Sequence, residues 1–199
     1  MNILIAGATG NTGARLARQL RDDGHHVIAM HRASSDTSVL PESVQLREAD
    51  LTNLGPNVCE GAEAVVFAAG SGGDTDAQMT DKVDRDGAKS LVDAAVRKGV
   101  KHFVMLSSVG ADDPDPDSEL AHYLRAKHEA DQYLIQSGLS YTIVRPVALT
   151  DDDGSRNMRL GDEVDPKGKA ARGDVAAILA RATHENALKN KVFLMESIA

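Results

Sequence analysis

The chain predicts an α/β fold, a single doubly wound parallel sheet with helices on both faces, and three observations carry that expectation. Short β-branched runs alternate with segments of helical period. Several of those runs are apolar throughout, as strands covered on both faces are. A glycine-rich turn joins the first run to the first helical stripe. Taken in order, the expected strands are Ile3 to Ala6, Val27 to Met30, Val44 to Arg47, Ala64 to Ala68, His102 to Leu106, Tyr141 to Val144 and Val192 to Met195. The helical stripes between them are Gly13, Leu16, Ala17, Leu20; then Ala88, Leu91, Val92, Ala95; then Leu120, Leu124, Asp131, Leu134; then Val175, Ile178, Leu179, Ala182. Asp131 interrupts the third stripe, so that helix is expected to lean on Ala130 and Tyr133 as well, and to stop at Gly138. Asp112 to Ser118, with two prolines among four aspartates, and the polar, Gly- and Asp-rich Thr150 to Ala171 both read as loops above the carboxyl ends of the strands.

At 199 residues with 42% apolar types, the chain suits one domain, 1–199, with a well-filled core. Twenty-two basic against thirty acidic side chains leave a net charge of −8, which argues against nucleic acid or anionic membranes as partners. Cys59 is the only cysteine, the opening Met1-Asn2-Ile3-Leu4 lacks the pattern of a signal peptide, and no apolar run reaches the roughly 20 residues of a membrane span. The expectation is a cytoplasmic protein, monomeric or homodimeric, acting on a small molecule. The seven histidines lack ligand spacing and there is no cysteine cluster, so no metal site is expected.

Directly after the first strand comes Gly7-Ala8-Thr9-Gly10-Asn11-Thr12-Gly13. Glycine suits a strand that must turn sharply into a helix while its N–H groups approach a pyrophosphate closely, with the positive end of the helix facing the anion. Gly7, Thr9, Gly10, Asn11, Thr12 and Gly13 are therefore the expected phosphate cradle. After the second strand stands His31-Arg32 where a carboxylate would favour NAD; an arginine there suits the 2′-phosphate of NADP. Asp50-Leu51 follows the third strand, where Asp50 either accepts from the adenine amino group or caps a helix. Ala68-Ala69-Gly70 ends the fourth with side chains small enough for a cofactor to pass over.

Ser107-Ser108 ends the fifth strand, and Tyr123 and Lys127, one helical turn apart, project from one face of the next helix. A phenol with an ordinary pKa of about 10 exchanges protons poorly near neutrality; a neighbouring ammonium favours its ionised form. A serine hydroxyl orients a substrate carbonyl.

These motifs, with Leu106-Ser107-Ser108-Val109-Gly110-Ala111, Ser137 to Pro146 and Arg172-Gly173-Asp174-Val175-Ala176, resemble the short-chain dehydrogenase/reductase superfamily over essentially the whole chain. The resemblance is to its atypical NAD(P)H-binding, NmrA-like epimerase/dehydratase branch. It implies a Rossmann-type sheet with cofactor along the strand ends, Tyr123 as acid/base, Lys127 on the nicotinamide ribose, and Ser108, or alternatively Ser107, positioning substrate. Ser107, Pro146 and Val147 are then cofactor-lining, and about 147–172 forms a substrate-covering loop. The superfamily's asparagine is replaced by Asp84, and too little chain follows Pro146 to hold a nucleotide sugar. The expected function is NADP(H)-dependent reduction of a small carbonyl, quinone or flavin-like substrate. The alternatives are a non-catalytic NADP(H)-binding redox sensor and an NAD(P)-dependent epimerase or dehydratase.

Overall fold

The computed structural model describes residues 1–70 and 76–198. Along the chain the elements are β1 (Asn2–Ala6), α1 (Asn11–Asp22), β2 (His26–His31), β3 (Gln45–Glu48), β4 (Ala64–Phe67), α2 (Ala77–Thr80), a π-helical segment (Asp81–Gly87), α3 (Ala88–Arg97), β5 (His102–Leu106), α4 (Ala121–Gln136), β6 (Tyr141–Pro146), β7 (Ala148–Thr150), β8 (Met158–Leu160), β9 (Lys169–Ala171), α5 (Arg172–Ala182), a 3-10 turn (Asn186–Leu188) and β10 (Lys191–Ser197). Eight strands pair in the order β3-β2-β1-β4-β5-β6-β10-β8. All neighbours are parallel except β8, which lies antiparallel to β10 at one edge. Because β1 pairs with β2 on one side and β4 on the other, the chain reverses its direction of travel across the sheet at β1/β4, and a crevice opens at the carboxyl ends of those two strands.

Strand alternation explains why the runs are apolar throughout. Ile3, Ile5, Val27, Ala29, Val66 and Val104 point to the face covered by Leu16 and Leu20 of α1 and Val175, Ile178 and Leu179 of α5. Leu4, Ile28, Val65, Phe67, Phe103 and Met105 point to the other face, against Leu91 and Val92 of α3 and Ala130 and Leu134 of α4. Each fully buried leucine or isoleucine contributes about 1.5–3 kcal/mol by leaving water. Gly138, at φ +82°, follows α4 as the expected left-handed terminator. No helix among the described residues is long and apolar enough to cross a membrane.

Four expectations need correction. The segment read as a loop from Thr150 to Ala171 contains β8 and β9; β8 extends the main sheet and β9 pairs with β7. Each is three residues long with mixed burial, too short to show a strand period. The helix before β5 begins at Ala77 rather than near Ala88, capped by the Asp76 side chain on the Met79 N–H and passing through the π segment. Leu120 lies outside the buried seam of α4, 58% exposed, and Tyr133 is also exposed, donating from its hydroxyl to Asp93 at 2.7 Å. The third strand is Gln45–Glu48, shifted by one residue onto an exposed edge.

Candidate functional site

The glycines of the first turn do different work. Gly7 adopts φ +81°, and a Cβ there would sit 2.6 Å from the Ala69 backbone, so both conformation and packing demand glycine. A Cβ at Gly13 would overlap the Gly7 carbonyl oxygen and lie 2.8 Å from its carbon, so the start of α1 rests directly on the turn. Gly10 differs: at φ −77° it suits any residue, and among the described residues an added Cβ would meet only the Gly7 oxygen, at 3.4 Å. Packing among the described residues does not require glycine at position 10, which lines the crevice.

Two hollows meet there. One, of about 500 Å³, takes in Gly7, Thr9, His31, Arg32, Asp50 and Leu51; the other, of about 650 Å³, takes in Asn11, Thr12, Ser107, Tyr123, Lys127 and Arg172. Gly10, Ala68, Ala69 and Gly70 line both, so they form one trough across the β1/β4 switch point. α1 opens on this trough with Gly10 as an N-cap that offers no side-chain bond and with no acidic residue in its first turn. Its first N–H groups and the positive end of its dipole are thus available to an anion. A long, anionic ligand with a slim middle fits: the diphosphate needs the close approach that Gly10 permits, and the two lobes hold what flanks it.

At the smaller lobe the Arg32 N–H donates to Ser35 Oγ at 3.2 Å and Ser35 N–H to the Arg32 carbonyl at 2.9 Å, a turn that leaves the exposed guanidinium without an ion pair among the described residues. Asp50 caps its own turn, accepting from the Thr52 N–H and hydroxyl, each at 2.8 Å. Those bonds, the backbone one first, hold its carboxyl below the usual range, with Arg32 adding to the effect.

At the larger lobe α4 carries Tyr123 and Lys127 on one face, with the Lys127 ammonium 5.7 Å from the centre of the Tyr123 ring. Lys127 is buried, donates to the Leu106 carbonyl at 3.1 Å and pairs with Asp84 Oδ1 at 3.2 Å. Burial alone would drive it toward the neutral form. Electrostatic interaction with Tyr123, Asp84 and Asp131, with the Asp84 hydrogen bond, outweighs this and holds its pKa above the ordinary lysine value. The π segment, whose extra residue per turn suits a functional bend, is the element that delivers the fully buried Asp84.

Beneath the same floor lies a second pair of charges. Asp131, fully buried, accepts from Arg145 Nε and Nη2 at 3.1 and 3.0 Å and from the Ser107 hydroxyl at 2.8 Å, all on Oδ2. Its Oδ1 has no hydrogen-bond partner among the described residues. Burial raises the Asp131 pKa, opposed by Ser107 and Arg145. With Asp131 ionised, the Ser107 proton is committed to it, and Ser107 presents lone pairs to the trough.

The trough therefore brings together Gly7, Thr9, Gly10, Asn11, Thr12, His31, Arg32, Asp50, Leu51, Ala68, Ala69, Gly70, Ser107, Tyr123 and Lys127. Gly13 supports it from behind. Ser108 is half-buried, Pro146 and Val147 are buried, and none of the three is among the lining residues. Sequence reasoning missed Glu119, Leu120 and His122 at the larger lobe, took Leu149 and Arg172 only as part of the substrate-covering segment 147–172, and gave Asp131 and Arg145 no role. An aspartate in an apolar helical seam and an arginine inside an apolar strand were the available signal for a buried pair. Cys59 is fully buried, and burial pushes its thiol up to about 11, which leaves it inert.

Fold and trough together define a dinucleotide-binding Rossmann protein. Residues 7–186 match the NAD(P)H-binding family, and the chain belongs to it. It is 34% identical over 201 residues to YhfK of Bacillus subtilis, an uncharacterized sugar epimerase, with 97% of this chain and 92% of that protein aligned. A Bacillus halodurans structure, provisionally named an NAD-dependent epimerase/dehydratase, superposes with a TM-score of 0.94 at 33% identity, covering 100% of this chain and 94% of that one. The oxidoreductase ylbE of Lactococcus lactis superposes with a TM-score of 0.87 at 30% identity, covering 100% and 91%.

Proposed function

We propose that the protein is an NADP(H)-dependent oxidoreductase that reduces a small carbonyl, quinone or flavin-like substrate. The observation that carries this reading is the shared lining of one lobe: Tyr123, Lys127 and Ser107 face the same space as the phosphate-binding turn. The smaller lobe supports NADP over NAD, since Arg32, which makes no ion pair among the described residues, suits a 2′-phosphate.

The bound dinucleotide would supply the hydride. The N–H groups of the first turn of α1 would hold its diphosphate, with Ala68, Ala69 and Gly70 small enough not to obstruct it. Lys127, kept charged by its acidic neighbours, lowers the energy of an anion on the Tyr123 oxygen, so Tyr123 gives its proton to a substrate oxygen that gains charge as it is reduced. Ser108 or Ser107 positions that substrate; while Asp131 holds the Ser107 proton, Ser107 can accept from a substrate hydroxyl or N–H but cannot donate to a carbonyl oxygen. Leu120 and Leu149, both exposed at the lobe, favour a substrate with an apolar body. The oxidoreductase ylbE supports the redox reading.

The test is NADPH oxidation against a panel of aldehydes, quinones and flavins, with Tyr123→Phe as control. Turnover that Tyr123→Phe abolishes while NADPH binding survives is the expected result; undiminished turnover in that variant removes Tyr123 from the mechanism. One observation favours a binding module without chemistry. Asp84 and the Leu106 carbonyl already engage two of the three Lys127 N–H groups. Tight NADPH binding with no turnover on any panel member would select it. The epimerase names of the two Bacillus proteins favour a third outcome, substrate conversion with no net NADPH consumption.

A further inference from the structure

The turn at Asp151–Asp153 is tied to the opening of α1 by side chains that fall into two groups. Asp153 Oδ1 pairs with Arg15 Nε at 3.0 Å, and the Asp151 carbonyl accepts from Arg15 Nη2 at 2.7 Å. Neither Arg15 nor Asp153 lines the trough. The Asp151 carboxylate makes the other contacts: its Oδ1 accepts from Asn11 Nδ2 at 3.3 Å and from Arg172 Nη1 at 3.0 Å. Asn11 and Arg172 do line the trough, in the larger lobe beside Gly10 and Thr12.

The backbone of this turn is fixed without the Asp151 carboxylate. Gly173 N–H donates to the Asp152 carbonyl at 3.1 Å, and Gly173 packs so closely under Asp153 that no Cβ fits. Gly154 packs equally closely on the buried Asp174, which accepts from the Arg156 N–H at 2.8 Å and the Ser197 hydroxyl at 2.6 Å. The Asp151 side chain is 71% exposed, so turning it into water costs little, whereas Arg172 is only 24% exposed and stays at the lobe.

A carboxylate thus occupies two trough-lining donors, one of them in the first residue of α1. We infer that Arg172 is a diphosphate-binding residue and that Asp151 is its built-in competitor, holding the guanidinium until a dinucleotide diphosphate displaces it. The inference rests on the reading that the trough takes a dinucleotide. A diphosphate offers Arg172 a bidentate partner of higher charge than Asp151 and also engages the α1 N–H groups, so exchange favours the ligand, at the cost of the Asp151 contact. Asp151 then lowers cofactor affinity by that amount.

Calorimetric titration of the intact chain with NADPH tests this. Asp151→Asn keeps shape and solubility and removes the competing charge; it is expected to bind about two- to fivefold tighter, the size of one exposed ion pair. Arg172→Ala is expected to bind about tenfold or more weaker, having lost a charge-assisted hydrogen bond. The double variant is expected to match Arg172→Ala, because Asp151 acts through Arg172. Unchanged or weaker binding by Asp151→Asn overturns the inference, as does a full gain retained in the Arg172→Ala background. These outcomes are distinct from failure of the underlying reading, in which the unaltered protein itself takes up no dinucleotide.

Discussion

Replacing Gly10 by alanine places a methyl group where the two lobes of the trough meet. At φ −77° and ψ 167° the backbone accepts any L residue, and the nearest atom to the new Cβ among the described residues is the Gly7 carbonyl oxygen at 3.4 Å. The folding cost is limited to the poorer N-cap that alanine makes, at most about 1 kcal/mol, or about 2–4 °C in Tm for a chain of this size. The methyl group instead stands between the first N–H groups of α1 and the diphosphate. Losing one charge-assisted hydrogen bond costs about 1.5–3 kcal/mol, which is a loss of affinity on the order of tenfold to a hundredfold. Gly13→Ala is the contrasting control: its Cβ overlaps backbone at Gly7 and lies 2.9 Å from the Ala8 Cα, so α1 must shift, at about 1–3 kcal/mol. Titration with NADPH alongside thermal unfolding reads both quantities. A Gly10→Ala protein that unfolds near the normal temperature and binds NADPH normally would refute the placement of the diphosphate.

Arg32→Glu is expected to lower the ratio of NADPH to NADH affinity by about tenfold or more, because a carboxylate replaces a guanidinium beside the 2′-phosphate; an unchanged ratio removes Arg32 from selectivity. Asp131→Asn strips the buried Arg145 of its charged partner and is expected to destabilise by about 3–5 kcal/mol, seen as a Tm loss on the order of 10 °C; a Tm within a degree or two would show the pair to be unimportant for folding. His102 is 2% exposed, contacts Ser140 and Thr142 hydroxyls at 2.9 and 3.1 Å, and burial lowers its pKa from 6.5 to about 4. Between those values the unfolded chain binds a proton that the folded one excludes, so stability falls as pH drops, by about 2 kcal/mol at pH 5. His102→Asn is expected to flatten this part of the Tm–pH curve, and an unaltered slope would contradict the assignment.

The inner parallel strands β1, β2, β4, β5 and β6 and the helices covering them were legible because those strands are buried on both faces, which writes continuous apolar runs and clear stripes into the sequence. The glycine turn was legible for the same local reason: strand, turn and helix are contiguous, and Gly7 and Gly13 answer to neighbours only a few residues away or directly across β4. What escaped notice depends on distant partners. Asp131 looked like a defect in a stripe because Arg145, 14 residues on, and Ser107 become its neighbours only once β5 and β6 pair beside α4. The start of the helix at Ala77 is polar, and His122 of α4, 3.0 Å from Asp81, lies far along the chain. β8 has no pattern of its own; its place is set by pairing with β10. Arg172 opens α5 in a motif otherwise read for its resemblance, and only the fold lays it against Asn11 and Asp151.

The most direct test of the account is a crystal structure of the protein grown with NADPH. It is expected to show the diphosphate against the N–H groups that follow Gly10, the 2′-phosphate on Arg32 and the nicotinamide end in the lobe of Tyr123 and Lys127. A dinucleotide bound elsewhere, or lying in the trough with its diphosphate away from α1, would contradict it.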